Sequence, residues 1–357
     1  MKFLCCADLH IGSNVYGEVD PATGIHDSSK NLLDAVDQLI DHASKNQIRT
    51  TIVAGDIFHR RNPSAIDWMI FKLIIKKFIA AQIHLYVIPG NHDDSSQFTT
   101  ALGPLSLLEN HEYVHFIEVC ESIRALGNII LLPYVCKRWT HLEAEEFLAG
   151  NLISPNSILI CHENIVGAKY RALNTFVVAE TGLTPEFLSN RFKLTLAGHF
   201  HAYQQVKDNI FYCGPLIHLD FNDYQTTPGF LEVDSLTFDV KHIPVQTRKF
   251  IQFEGNVKDL MNFVDTTDVE VGDVVKIKVV VEDSKQESAL QKCVTFLQKK
   301  AIVSFVIYRL PKKVLRNAEI TFEKAPRHHL EMYAKTCGWS EEVIKVGQQI
   351  LEGIHET

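Results

Sequence analysis

Five short apolar runs in this chain end in the same way, with Asp, His or Asn within two residues of the last apolar position. Residues 2–7 run into Asp8-Leu9-His10, 50–54 into Gly55-Asp56, and 83–89 into Gly90-Asn91-His92-Asp93. Residues 157–161 run into His162, and 193–197 into Gly198-His199-Phe200-His201. Such runs, bounded by turn residues, read as buried strands. Taken singly each ending is a weak signal, because Gly-Asp is often just a turn and one histidine is more often structural. Five in series exceed what coincidence supplies and call for a fold that gathers strand ends at one place.

The side chains collected there are Asp8, His10, Asp56, Asn91, His162, His199 and His201, with His92 beside them. The seven offer oxygen and nitrogen and no thiolate, a set suited to divalent metals such as Mn, Fe or Zn. Seven are too many for one site that keeps open positions, so two metals sharing a bridging carboxylate fit better. Two such cations, roughly 3.5–4 Å apart, clamp a phosphate and generate a hydroxide nucleophile at neutral pH. His92 adjoins Asn91, so it can reach a bound phosphate without being a ligand, as general acid or transition-state stabiliser. Gly90 beside Pro89 suits the tight turn that aims both side chains at one point.

Composition sets the class. A chain of 357 residues with 46% hydrophobic and 22% charged residues reads as a globular protein of one large domain or two ordinary ones. No apolar run reaches the roughly 18 residues of a membrane span. The chain opens directly on a strand-like run with no signal-like segment, which is the expectation for a cytoplasmic protein. None of the eight cysteines forms a CxxC pair, so buried free thiols are expected rather than a thiolate zinc site. Of the net charge of −8, residues 1–244 carry −9 and residues 245–357 carry +1. A negative catalytic half is a poor free-standing binder of polyanions, so bound cations or a basic partner surface would have to offset it.

Between the strands, Ser28 or Ser29 can cap a helix with Leu32, Val36, Leu39, Ile40 and Ala43 on one face. Ser64 begins a second, to about Gln82, that is apolar nearly all round. It can cover a sheet with one side and offer the other to a second molecule, or lie wholly inside one core. Residues 98–108 and 141–148 read as helical, and 163–190 as a polar excursion with a helix start near Thr184-Pro185. After about residue 244 the pattern changes. Strands at 249–254, 274–282 and 303–310 and a helix at 287–300 suggest a small α+β module. A basic stretch follows at Arg309, Lys312, Lys313 and Arg316. Pro326 then opens a short helix that Gly338 closes, and Ser340 caps a last one. Two short amphipathic helices are too small for a core of their own and need something to dock on.

Asp8-x-His10, Gly55-Asp56, Gly90-Asn91-His92-Asp93, His162 and Gly198-His199-Phe200-His201 resemble the five motifs of the calcineurin-like metallophosphoesterases. Within them, Gly55-Asp56-Ile57-Phe58-His59 is similar to the DNA-repair nuclease branch, Mre11 in eukaryotes and SbcD in bacteria, with phage counterparts. The phosphatase pattern, Asp-Arg-Gly after the second motif and Glu after Asn-His, is replaced by Arg60-Arg61-Asn62 and Asp93. A further strand-like run at 209–213 is followed by Gly214-Pro215, where family members tend to carry Gly-Ser.

The resemblance implies an α/β fold, a β-sandwich flanked by helices over residues 1–244, then a capping domain at 245–325 and C-terminal helices at 326–357. It implies that Asp8, His10 and His201 hold one metal and that Asn91, His162 and His199 hold the other, with Asp56 bridging. It places His92 on the scissile phosphate, His59 at the DNA end and Asp93 behind His92 as its orienting partner. It further implies two divalent ions, Mn above all, in a DNA exonuclease and endonuclease. The implied partners are an ABC-type ATPase of the Rad50 or SbcC kind and a second copy of the chain, met through helices near the second and third motifs. The lack of a long basic tail points to a bacterial or phage type of nuclease subunit. A phosphoesterase acting on small phosphodiesters or phosphoproteins is the alternative, and a scaffold without catalysis sits poorly with a full ligand set.

Overall fold

The computed structural model describes residues 1–93, 111–117, 121–123, 128–134, 141–150, 154, 156–172, 175–309, 330, 334 and 338–354. The first half begins with β1 (Lys2–Cys6), α1 (Asp27–Lys45), β2 (Thr50–Ala54), α2 (Ala65–Ala81), β3 (His84–Ile88) and β4 (Val114–Phe116). A second series follows: β5 (Glu121–Ile123), β6 (Ile129–Leu132), α3 (His141–Gly150), β7 (Ile158–His162), β8 (Lys169–Ala172) and β9 (Thr175–Val178). It continues through α4 (Pro185–Arg191), β10 (Leu194–Gly198), β11 (Gln204–Lys207) and β12 (Ile210–Tyr212), and the chain returns through β13 (Gly229–Asp234) and β14 (Val240–Pro244).

Twelve of these strands form two six-stranded sheets, ordered β14-β13-β1-β2-β3-β4 and β11-β12-β10-β7-β6-β5, and β8 pairs with β9 alone. The core of each is parallel: β1 to β4 in one, and β6, β7, β10 and β12 in the other. Parallel strands bury both faces, and β2, β7 and β10 are buried at every residue. Phe3, Cys5, Ile52 and Ile88 of the first sheet pack against Leu131, Ile160, Leu196 and Phe211 of the second, which makes the sandwich. On the outer face of the first sheet, Leu32, Val36 and Leu39 of α1 and Ile70, Phe71, Ile74 and Phe78 of α2 form another core. On the outer face of the second, Leu188 of α4 and Leu148 of α3 pack with Leu159 and Tyr212. Helices therefore flank a β-sandwich.

Two helix starts show how local chemistry sets the ends. α2 has a full capping box: Asp67 N donates to Ser64 Oγ, and Ser64 N donates to Asp67 Oδ2. α1 starts two residues earlier than a Ser28 cap would place it. Its cap is His26, whose Nδ1 accepts from Ser28 N at 3.1 Å, so Ser28 and Ser29 lie inside the helix. Of the α2 positions away from the core, Trp68, Leu73, Ile75 and Ile79 are half buried against it, while Ile66 and Met69 are exposed at 41% and 37%. The helix thus lies on the sheet and keeps a narrow apolar edge in solvent.

The C-terminal module consists of β15 (Phe250–Asn256), α5 (Val257–Thr266), β16 (Val274–Val281), α6 (Ser284–Leu297) and β17 (Ile302–Arg309). Its three strands are parallel in the order β15-β16-β17. Val275, Ile277 and Val279 pack with Leu260 of α5 and Leu290 and Val294 of α6 into a separate core. Of the two terminal helices only α7 (Glu341–Ile354) is described along its length. The helix read at 98–108, the basic residues Lys312, Lys313 and Arg316, and most of 326–338 lie outside the described residues. Five cysteines, Cys5, Cys6, Cys161, Cys213 and Cys293, are free and buried; the other three also lie outside. No helix among the described residues is long and apolar enough to cross a membrane.

Several elements are absent from the sequence reading. The 163–190 excursion holds the β8–β9 hairpin, and β11, β13, β14 and α5 are additional. β11 and β14 are edge strands with two residues exposed in each, so they carry polar side chains that hide the strand pattern.

Candidate active site

The carboxyl ends of parallel strands are where such sheets place their ligands, and here both sheets end at one point. The segments after β1 and β2 run side by side. Asp8 N donates to Gly55 O, His10 N to Asp56 O and Ile11 N to Ile57 O, at 3.0, 3.0 and 2.8 Å. That pairing sets Asp8 and His10 next to Asp56. From the second sheet, His162 Nδ1 donates to the Ala54 carbonyl at 2.8 Å, tying the end of β7 to the end of β2. Gly55 makes this approach possible: its φ is +86°, and a Cβ there would overlap the His162 ring. Gly90 plays the same part on the other side, since a Cβ would overlap the Asp56 carboxylate.

All seven expected ligands converge. His162 Nε2 lies 3.0 Å and His199 Nδ1 2.8 Å from Asn91 Oδ1. His162 Nε2 is 3.4 Å from Asp56 Oδ1, and His10 Nε2 is 3.4 Å from Asp56 Oδ2. His10 Nε2 and His201 Nε2 are 3.1 Å apart. The Asp8 carboxylate accepts His199 N at 3.0 Å. Asp8, His10 and His201 offer donor atoms within 4.8 Å of one another, as do Asp56, His162 and His199. Asp56 touches a histidine of each group, one through each oxygen.

The donor set fits a pair of cations. With its Nδ1 hydrogen on Ala54 O, a neutral His162 presents a bare Nε2 lone pair to the Asn91 oxygen, so two acceptors face each other. The Nε2 atoms of His10 and His201 also face each other at 3.1 Å, where one ring's hydrogen or a metal ion can lie between them.

His92 stands beside these groups. Its Nδ1 hydrogen goes to the His59 carbonyl at 2.8 Å, which leaves Nε2 free to face the centre. Its ring meets that of His10 edge-on at 4.8 Å and stacks on that of His59 at 5.8 Å. His59 is half buried and closes this wall, and His10, His59 and His92 form a third group of converging ring nitrogens. Asp93 does not orient His92. Its two oxygens accept Ile57 N, Phe58 N and Gly90 N at 3.0, 2.9 and 2.9 Å. The carboxylate thus staples the second motif to the third, and the His59 carbonyl does the orienting.

A family model described as calcineurin-like phosphoesterase matches residues 1–203. The chain belongs to this family. Among its relatives, exonuclease subunit 1 of Enterobacteria phage T4 is 28% identical over 304 residues, covering 84% of this chain and 83% of the relative. The DNA double-strand break repair protein Mre11 of Methanocaldococcus jannaschii is 24% identical over 278 residues, covering 74% and 71%. A subunit of the nuclease SbcCD of Escherichia coli K12 is 29% identical over 93 residues, covering 26% and 21%.

The electrostatics of this phosphoesterase site follow from burial and crowding. Burial opposes charge on His162, yet the Asp56 carboxylate and then Asp8 push its imidazole up to about 10. His201 follows the same pattern: burial opposes its charge, and the Asp223 carboxylate outweighs it, up to about 9. Burial and then His162 push His199 down to about 3, and burial also lowers His10. Burial would raise Asp56, but the His162 imidazole prevails and holds it well below the carboxylate range. Burial and the Asp56 charge push Asp93 up to about 6.

Asp223 is a site residue that sequence reading missed. Its buried carboxylate lies 3.7 Å from His201 Nδ1, opposite the nitrogen that faces His10. The polar cluster Asp220-Phe221-Asn222-Asp223 was a visible signal, but it follows no strand-end pattern. A cavity of about 640 Å³ adjoins this corner, lined among others by Lys169, Tyr170, His199, His201 and Asp223. Pro215, the departure from the usual Gly-Ser, forms a parallel bridge with Ala7 directly before Asp8.

Proposed function

We propose that this phosphoesterase is a nuclease that hydrolyses phosphodiester bonds of DNA with two divalent metal ions, in recombination or repair. The observation that carries the reading is the convergence of Asp8, His10 and His201 with Asp56, Asn91, His162 and His199, sharing Asp56 and facing His92. The three relatives named above support DNA as the substrate, each being named a nuclease or a break-repair protein.

Asp8, His10 and His201 would hold one ion, Asn91, His162 and His199 the other, and Asp56 both. Imidazoles mixed with hard oxygen donors and no thiolate suit manganese. Two cations held by these residues would supply Lewis-acid activation of a water and charge neutralisation at the phosphate. The Ala54 carbonyl and the Asp223 carboxylate hold the back nitrogens of His162 and His201, so that Nε2 of each points inward. His92, with Nδ1 tied to the His59 carbonyl, presents Nε2 to the phosphate and supplies the proton that the leaving oxygen needs. His59 stacks on His92 and borders the approach taken by a DNA end.

In this reading residues 1–244 are the catalytic domain, 245–325 a capping domain, and 326–357 helices that dock on an ABC-type ATPase. Two of the relatives are named as subunits, and α7 keeps Val343 and Val346 exposed. The exposed Ile66 and Met69 of α2 belong to a homodimer contact.

The test is degradation of linear duplex DNA by the purified chain with manganese, alone and with an ABC-type ATPase of the Rad50 or SbcC kind. His92→Ala should abolish cleavage while both ions remain bound, and cleavage at the wild-type rate would remove His92 from the chemistry. Hydrolysis of a nucleotide phosphodiester or a phosphopeptide, with none of DNA, would reassign the substrate to the alternative class.

A further inference from the structure

The C-terminal module grips the catalytic body through an aromatic cluster. Phe221, Phe250 and Val274 are buried together, and Tyr16, Tyr224 and Ile302 close around them. The Phe221 and Phe250 ring centroids are 5.1 Å apart, and Tyr16 meets both edge-on at 5.3 and 5.5 Å. Lys276 of β16 sets its Nζ 5.1 Å from the Phe221 centroid. Phe250 and Val274 begin β15 and β16, whereas Tyr16 and Phe221 belong to loops of the catalytic body.

Phe221 stands two residues before Asp223 in a tightly bonded turn. Leu219 N donates to Asp223 Oδ2 at 3.0 Å, and Asp223 N to Asp220 O at 3.1 Å. Thr226 donates to Asp223 O from both N and Oγ1 at 2.8 Å. His218 Nε2 closes the turn by donating to Thr226 O at 3.0 Å, and its ring lies 5.6 Å from that of Phe250. Little in this turn can shift without moving the Asp223 carboxylate. That carboxylate is 3.7 Å from His201 Nδ1. A continuous path of packed groups therefore runs from the module to His201. Among the described residues, the back nitrogen of His162 is held instead by Ala54, inside the catalytic body.

We infer that Phe221 and Phe250 are positioning residues for His201. Packing of the C-terminal module on Phe221 places the Asp223 carboxylate, and so completes one of the two metal sites, that of Asp8, His10 and His201. The inference rests on the two-metal reading above. The site of Asn91, His162 and His199 is independent of the module.

The experiment is a calorimetric titration of the full-length, chelator-treated chain with manganese chloride, alongside thermal unfolding. Asp223→Asn and Phe250→Ala should each weaken one of the two ions about ten-fold and leave the other at wild-type affinity, as changes behind a ligand do. Val294→Ala, which opens a hole in the module's own core away from the turn, should weaken neither. Where Phe250→Ala fails to fold, Phe221→Leu keeps an apolar contact with a shorter side chain and decides by the same result. Two wild-type affinities in a folded Phe250→Ala or Phe221→Leu chain would overturn the inference. Equal weakening by Val294→Ala would overturn it too, because the effect would then be general loosening. A wild-type chain that takes up no manganese removes the two-metal reading itself and the inference with it, and that result is distinct from either of the others.

Discussion

His162 Nδ1 lies 2.8 Å from the carbonyl oxygen of Ala54, so the last residue of β2 decides which nitrogen of a β7 histidine carries hydrogen. This one bond joins the two sheets at the catalytic end and turns Nε2 toward Asn91 and Asp56. The closeness depends on Gly55, the next residue, having no side chain.

Gly55→Ala should therefore injure the site more than the fold around it. The added methyl meets the His162 ring, at a backbone φ of +86° that alanine adopts only with strain. We expect metal affinity to fall by about 10–100-fold, since the histidine loses its backing group. Metal titration with thermal unfolding checks this, and unchanged affinity would refute the packing argument.

Asp93→Asn tests the staple between the second and third motifs. Three backbone amides converge on the two carboxylate oxygens, and an Asn side chain offers one carbonyl oxygen for them. At least one buried amide is left unsatisfied, at a cost of about 1–3 kcal/mol. Urea unfolding measures that loss. Were Asp93 an orienting partner of His92 alone, activity would drop with stability unchanged.

Metal binding should be pH-dependent in a definite direction. In the metal-free chain the His162 and His201 imidazoles, pushed up to about 10 and about 9 by their carboxylate neighbours, carry protons at neutral pH. An incoming ion has to displace them, so affinity rises with pH and protons are released on binding. Raised histidine values also mean that their contribution to folding is fully present below about 6.5 and lost as pH climbs through 9 and 10. The metal-free chain should accordingly lose unfolding temperature between about pH 7 and pH 10, and the loaded chain should not. Calorimetry in buffers of different ionisation enthalpy counts the protons.

The apolar edge of α2 separates association from folding. Ile66 and Met69 are exposed, so Ile66→Lys with Met69→Glu should change stability by no more than about 0.5 kcal/mol per site. If the edge is a contact between copies, sedimentation should show the double variant as a monomer under conditions where the parent chain is dimeric. A variant that stays dimeric would place the contact elsewhere.

Much of the arrangement was legible because apolar runs and their endings are local properties. The strands at 50–54, 84–88, 158–162 and 194–198 lie where their buried residues put them, and Ser64 caps α2 as its hydroxyl allows. Edge strands such as β11 and β14 stayed hidden, since a strand exposed on one side need not look apolar. The cap of α1 was misread for another reason: a histidine nitrogen can accept the amide that a serine oxygen usually takes.

By itself the sequence determined which strand-end side chains reach the site, because parallel strands that end together deliver whatever residue comes next. Tertiary structure decided what each of them does there. Asp8, His10, Asp56 and His199 all sit in left-handed backbone, with φ of 55°, 43°, 53° and 103°. Non-glycine residues hold such angles only where surrounding contacts impose them. The role of Asp93 as a staple and that of Asp223 behind His201 likewise depend on partners distant in the chain. Neither is written in any local pattern, because both follow from two sheets closing on each other.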